Sequence, residues 1–152
     1  MVDSTPRPAP IVTLTINPAL DVSTSTVTVR PEHKMRCGPS RVDPGGGGVN
    51  VSRVIERLGG NSTAIYAVGG PTGQAYRQLL EAEGIIGRAV AIEGSTRENV
   101  TVDETSTGKQ FRFVLQGPTL SDDEWQRCLA ATEAAMHWGG YVVPSGSLAP
   151  GV

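Results

Sequence analysis

Cysteine is nearly missing from this chain: Cys37 and Cys128 are the only two, far apart and without a Cys-x-x-Cys pair. So few thiols build neither a zinc site nor a disulfide framework, so reduced cysteines, a cytoplasmic setting and no metal site are expected. An excess of positive charge is missing too. Thirteen Lys and Arg face fifteen Asp and Glu, for a net charge of −2, and no basic stripe forms. A nucleic-acid partner is therefore not expected, and a small molecule is the better default. No apolar run approaches the roughly 20 residues that span a bilayer, and the first ten residues carry no apolar signal core. Neither membrane nor export is indicated, and residues 1–10 read as a disordered N-terminus. Low-complexity tracts are absent as well: 19 Gly and 11 Pro lie scattered among apolar runs over 152 residues. That is a loop-rich folded domain, long enough to bury a core.

What is present alternates between strand and helix. Ile11–Ile16 is a short β-branched run stopped by Asn17-Pro18, as a buried first strand would be. Val22–Val29 is more polar and fits a half-exposed strand, with Lys34–Val42 as its partner at an edge, because that segment holds a proline. A helix follows Gly48, with Val51, Val54, Ile55 and Leu58 at helical spacing, stopped by Gly59-Gly60. Ser62–Val68 reads as a second buried strand. Thr72 is placed to cap a helix with Tyr76, Leu79 and Leu80 on its apolar stripe. Ile86–Ile92 is a further strand, and the alternating segments "NVTVDE" and "KQFRFVL", joined by "TSTG", predict an antiparallel hairpin. Ser121-x-x-Glu124 is a capping box ahead of a helix that sets Trp125, Cys128, Leu129, Thr132 and Met136 on one face. Another strand closes at "SGS". The fold class is α/β, a partly parallel sheet flanked by helices, with a small outlying β lid near residues 22–42 and 98–115.

The four glycines Gly45–Gly48 precede the first helix without matching a named phosphate loop. No Lys follows them, which excludes a P-loop, and the place of the third glycine of a dinucleotide fingerprint is taken by Asn50 or Val51. The failed spacing disfavours a Rossmann-type oxidoreductase. Bare backbone N–H groups opening into a helix N-terminus still admit a polar or anionic ligand closely.

Seven segments occur in a recognisable order: "TLTINPALD" (Thr13–Asp21), "KMRC" (Lys34–Cys37), "PGGGGVNVSRVIERLGG" (Pro44–Gly60), "AVGGPTG" (Ala67–Gly73), "STREN" (Ser95–Asn99), "KQFRFVLQGP" (Lys109–Pro118) and "SGSLAPG" (Ser145–Gly151). From Ile11 onward the chain resembles the N-terminal half of a ribokinase-like carbohydrate kinase of the PfkB group. Its Asn-Pro-Ala-x-Asp and Lys-x-Arg forms resemble the branch that phosphorylates fructose or tagatose phosphates.

The resemblance implies a substrate site. Asp21 and Asn50 would orient sugar hydroxyls, with Gly46 and Gly47 in the sugar-contacting loop. Arg97 would clamp the substrate phosphate, and Ser147 would contact the substrate from the end of a strand. Lys34, and with less support Arg36, would reach the sugar from the lid. Arg112 alternates with Phe111 and Phe113, so it faces away from the rings; its assignment has the least support. His33 and His137 match no catalytic position. The family's base is the aspartate of a Gly-Ala-Gly-Asp element, which these 152 residues do not contain, so no catalytic residue is assigned. ATP and Mg²⁺ are implied for a complete enzyme, and no cofactor is assigned to these residues. The implied partners are a phosphorylated hexose and a second copy of the chain through the lid. The expected activity is that of an ATP-dependent sugar-phosphate kinase, present as its acceptor-binding half, truncated relative to the full fold and inactive alone. The alternative is a non-catalytic sugar-phosphate-binding or dimerisation module.

Overall fold

The structure, a computed structural model, describes residues 9–136 and 140–152. The expectations for the N-terminal tail through residue 8 and for His137 lie outside the described residues. A fully parallel sheet of β1 (Ile11–Thr15), β4 (Ser62–Val68), β5 (Gly87–Ala91) and β8 (Tyr141–Pro144) runs in the order β5-β4-β1-β8. Helices cover both of its faces, which is why β1 and β4 are nearly continuous apolar or threonine runs.

The pleat divides the core. Val12 and Leu14 of β1, Ile65 and Ala67 of β4 and Val90 of β5 meet Cys128 and Ala135 of α3 (Asp122–Ala135). On the other face Ala64, Tyr66 and Val68 meet Val49 of α1 (Gly47–Arg57) and Tyr76 and Leu80 of α2 (Gly70–Ala82). Tyr76, Ile65 and Leu80 are almost fully buried; each such side chain contributes about 1.5–3 kcal/mol of transfer free energy.

The second sheet is the lid. Its order is β3-β2-β6-β7, built from β2 (Ala19–Thr26), β3 (Arg41–Gly45), β6 (Arg97–Glu104) and β7 (Lys109–Val114). The outer pairs are antiparallel, and β2 and β6 pair parallel.

Several local expectations need correction. The second strand begins at Ala19, three residues early, because β2 is central in the lid and already pairs with both neighbours there. Lys34–Val42 is not its partner strand; that strand is Arg41–Gly45. Residues 34–40 run beside β2 without a ladder, held by Gly38 N–H on the Ser25 carbonyl and by the Thr24 and Thr26 hydroxyls on the Gly38 and Arg36 carbonyls. Pro39 contributes no donor there. The strand that does pair, β3, holds Pro44 and lies at the lid's margin.

α1 starts inside the glycine run, and it buries Gly48, Val49 and Ser52, while Val54 and Leu58 are exposed. Its contact with β1 is made by backbone and short side chains: Ser52 Oγ lies 2.8 Å from Thr13 Oγ1, and Val49 N–H donates to Thr15 Oγ1 at 2.9 Å. Thr72 does not cap α2, whose N-cap is Gly69; its hydroxyl donates to the Thr96 carbonyl instead. The Ser121 capping box of α3 forms as read, but Leu129 and Met136 lie exposed, and Glu124, Cys128, Thr132 and Ala135 form the buried face.

Candidate functional site

The carboxyl end of a parallel strand is where the chain must leave the sheet, and ligands of α/β folds collect there. β1 leads through Asn17-Pro18 into β2, and β8 leads into Ser145-Gly146-Ser147. The glycine run folds between these two exits. Gly46 is the N-cap of α1 at φ 130°, a conformation that L side chains rarely adopt. A Cβ on Gly47 would stand 2.5 Å from Ser145 Oγ, and Gly48 N–H donates to the Ser145 carbonyl at 3.0 Å. The helix N-terminus and the Ser145–Ser147 turn are therefore one surface. Asn50 lies on the exposed face of α1, one turn in.

Asp21 sits above this surface on β2, with its carboxylate over Gly45, where a Cβ would fall 2.1 Å from Oδ2. Parallel pairing puts Asn99 opposite Asp21, and Asn99 Nδ2 donates to Asp21 Oδ1 at 2.8 Å. That bond leaves Oδ2 outside the pair, able to accept from a ligand hydroxyl.

Arg97 begins β6 two residues earlier. Its Nη1 donates to the Leu115 carbonyl at 3.0 Å, and its Nη2 to the Asn17 carbonyl at 3.1 Å and Ser147 Oγ at 3.4 Å. Arg97 and Ser147 are thus joined across three segments of chain. Asp21, Gly46, Gly47, Asn50, Arg97 and Ser147 line this one face.

The remaining candidates lie apart. Lys34 and Arg36 are exposed on the loop beside Thr26, four to five residues along β2 from Asp21, or about 15 Å at strand rise. They line a hollow of about 330 Å³ with Met35, His33, Arg30 and Thr26. Within one chain they do not meet Arg97. Arg112 pairs with Thr101 on β6, two ladder positions beyond Asn99 and so on the same face, and is exposed.

The sequence reading did not find four supporting residues. Asn99 was visible only as part of "STREN", because its bond to Asp21 depends on a nonlocal strand pairing. Tyr76 was read as a core ring; its hydroxyl donates to the Gly45 carbonyl at 2.9 Å, and burial holds the phenol well above its ordinary pKa of 10.0. Arg53 lies off the apolar stripe of α1 and was given no role. Its fork grips Glu83 at 2.6 and 2.7 Å while Nη1 reaches the Pro44 carbonyl at 3.2 Å and Asn50 Oδ1 at 3.5 Å, which fixes the base of the glycine run. Asn17 was read as a strand stop, yet its side chain is buried against Ser147.

The surface is open. An apolar hollow of about 300 Å³ lined by Ile11, Ile55 and Ile86 lies at the amino ends of the strands and carries no charged group. Among the described residues no three His, Cys, Asp or Glu side chains converge as ion ligands, and no Gly-Ala-Gly-Asp element is present. These residues do not fit a magnesium site.

Hydroxyl-accepting groups, an arginine and a glycine-opened helix N-terminus lie together on one rim of a three-layer α/β sandwich with a β lid, an arrangement chemically able to accept from hydroxyls and to donate to an anion. Comparison with known proteins gives it a lineage. The pfkB family carbohydrate kinase profile matches residues 10–151. ATP-dependent 6-phosphofructokinase isozyme 2 of Mycobacterium tuberculosis (strain H37Rv) is 52% identical over 142 residues, covering 93% of this chain and 42% of that protein. Isozyme 2 of Escherichia coli (strain K12) is 42% identical over 142 residues, covering 93% of this chain and 46% of that protein. The crystal structure of phosphofructokinase-2 from Escherichia coli in complex with fructose-6-phosphate superposes with a TM-score of 0.90 at 41% identity, over 95% of this chain and 47% of that one. The chain belongs to the pfkB family of carbohydrate kinases, in its phosphofructokinase branch. It spans somewhat under half the length of these relatives.

Proposed function

We propose that this chain is the acceptor-binding half of an ATP-dependent phosphofructokinase-like kinase of the cytoplasm and binds a phosphorylated hexose such as fructose 6-phosphate. The observation that carries this reading is the joining of Arg97 and Ser147 beside the Asp21–Asn99 pair. A guanidinium suits a phosphate through its fork of donors, and a carboxylate suits two sugar hydroxyls as acceptor. Asn50, held by Arg53, can donate to and accept from hydroxyls at the mouth of α1. In a complete kinase ATP supplies the phosphoryl group and Mg²⁺ its charge neutralisation; the residues of this chain bind and orient the acceptor.

Phosphoryl transfer requires donor, acceptor and metal to be positioned together. Without the aspartate of a Gly-Ala-Gly-Asp element to serve as base, these 152 residues by themselves should not phosphorylate sugars. Calorimetric titration tests the reading: saturable binding of fructose 6-phosphate, absent for fructose and ATP and lost in Asp21→Ala, supports it. Arg97→Ala should weaken binding at least tenfold, about 1.5–3 kcal/mol for charge-assisted hydrogen bonds. Undiminished binding in Arg97→Ala refutes the phosphate assignment.

A second reading, a non-catalytic dimerising module, is favoured by the lid's outer face. Register lines up Val42, Val22, Val100 and Phe113 across all four strands, and Val42 and Phe113 are 40% and 53% exposed. A second copy is the partner proposed to cover this row, bringing its Lys34 and Arg36 toward the first copy's site. Sedimentation that reports a dimer, converted to monomer by Phe113→Asp, would support it; a monomer at all concentrations would not.

A further inference from the structure

We propose that Asn17 is a positioning residue that fixes the Ser147 hydroxyl as a hydrogen-bond donor, so that this corner of the site reads an oxygen without hydrogen, as on a phosphate. The inference deepens the sugar-phosphate reading and rests on it.

A serine hydroxyl has one hydrogen and two lone pairs. Ser147 Oγ accepts from Asn17 Nδ2 at 3.2 Å and from Arg97 Nη2 at 3.4 Å. Both donors are unable to accept in return, so both lone pairs are engaged and the hydrogen must turn elsewhere. Ser147 is exposed, so that hydrogen is offered to a ligand. Asn17 is suited to this task by its burial. The residue is 7% exposed, and its second amide hydrogen holds the Leu148 carbonyl at 3.2 Å, which locks the turn that carries Ser147. Its backbone carbonyl also receives Arg97 Nη2, so one residue sets two ligand-facing groups that lie 80 and 130 positions away.

Arg97 keeps donors in reserve. Of its five N–H groups three are engaged, and Nε is buried without a partner. Asn17 Oδ1 is likewise buried and unpartnered, directly over Gly117. A buried polar group left in this state costs stability, so its retention here points to a role at the site rather than in the core. The hydroxyl hydrogen of Ser147 and the remaining Nη1 hydrogen of Arg97 are both donors, a set matched to an oxyanion and mismatched to a sugar hydroxyl that must donate.

The contact is tested first without any ligand. In ¹⁵N–¹H NMR spectra the Asn17 side-chain amide signals should move on Ser147→Ala; signals that stay in place overturn the inference. Titration with fructose 6-phosphate then tests the role. Asn17→Ala and Ser147→Ala should each weaken binding about tenfold, and the double variant no more than either alone, because both remove the same donor. A hundredfold, additive loss, or binding undiminished by Asn17→Ala, overturns the inference alone. Asn17→Asp, which keeps the shape but takes the serine hydrogen as an acceptor, enters the same cycle should the alanine variant fail to fold. A folded wild-type chain that binds no fructose 6-phosphate overturns the sugar-phosphate reading and the ligand class assigned to Ser147 with it.

Discussion

Removing one oxygen, in Tyr76→Phe, probes how the core supports the site. The phenol is wholly buried between α2 and β3, tilted at 54° against the Tyr66 ring with centroids 5.5 Å apart, and its hydroxyl is the donor that reaches the Gly45 carbonyl. Phenylalanine keeps the ring packing and leaves that carbonyl without its side-chain donor. An unsatisfied buried acceptor costs about 1–3 kcal/mol, and in a domain of this size 1 kcal/mol lowers Tm by about 2–4 °C. A fall of about 2–12 °C in a thermal melt is expected. Burial also fixes the sign of a pH effect. The phenol is neutral in the folded state well above pH 10.0, whereas in the unfolded chain it ionises near that value. The folded state then holds more protons, so this stability is complete below pH 10.0 and is lost as pH rises above it. Tyr76→Phe should flatten that alkaline loss, leaving the part due to Tyr66, whose pKa burial also raises. An unchanged Tm and an unchanged alkaline limb would refute the reasoning.

Further predictions concern the lid, the helix N-terminus and the thiols. Gly47→Ala drives a Cβ to within 2.5 Å of Ser145 Oγ and should cost about 1–3 kcal/mol as overpacking, with weakened fructose 6-phosphate binding; a neutral melt would contradict the close approach. The Glu104 carboxylate accepts from the Thr107 hydroxyl and from Val29 N–H, which hold its pKa below 4.5, so its anchoring of the 27–29 segment persists above that pH and is lost as pH falls through the lowered value. An NMR pH titration of the Val29 amide should report a midpoint below 4.5, and a midpoint at or above it would reject the contact. Cys37 is exposed, while Cys128 is fully buried with burial pushing its thiol up to about 11. A thiol reagent should modify one cysteine in the native chain and two in denaturant; two in both would show that α3 does not cover the sheet.

Features fixed by local chemistry were legible in the sequence. The Ser121–Glu124 box, the hairpin between Glu104 and Lys109 and the burial of Tyr76 and Leu80 each follow from residues within a few positions of one another. The phase of α1 was not legible, because the helix approaches β1 through Gly48 and Ser52, and the apolar Val54 and Leu58 point outward. The lid's third strand was misplaced for a similar reason: two side-chain hydroxyls of β2 and a single backbone bond, rather than a ladder, hold residues 36–38. At the site, resemblance brought out Asp21, Gly46, Gly47, Asn50, Arg97 and Ser147. Asn17, Arg53 and Asn99 were missed because each works through a partner at least 30 residues away.

The central claim is that one rim, from Asp21 through the glycine run to Arg97 and Ser147, binds a sugar phosphate. The most direct measurement is backbone NMR of the ¹⁵N-labelled chain during addition of fructose 6-phosphate. Saturable shifts confined to residues 17–21, 45–50, 97–99 and 145–149 are predicted. Shifts centred on the Ile11–Ile55–Ile86 cavity, or none in a folded sample, would contradict the account.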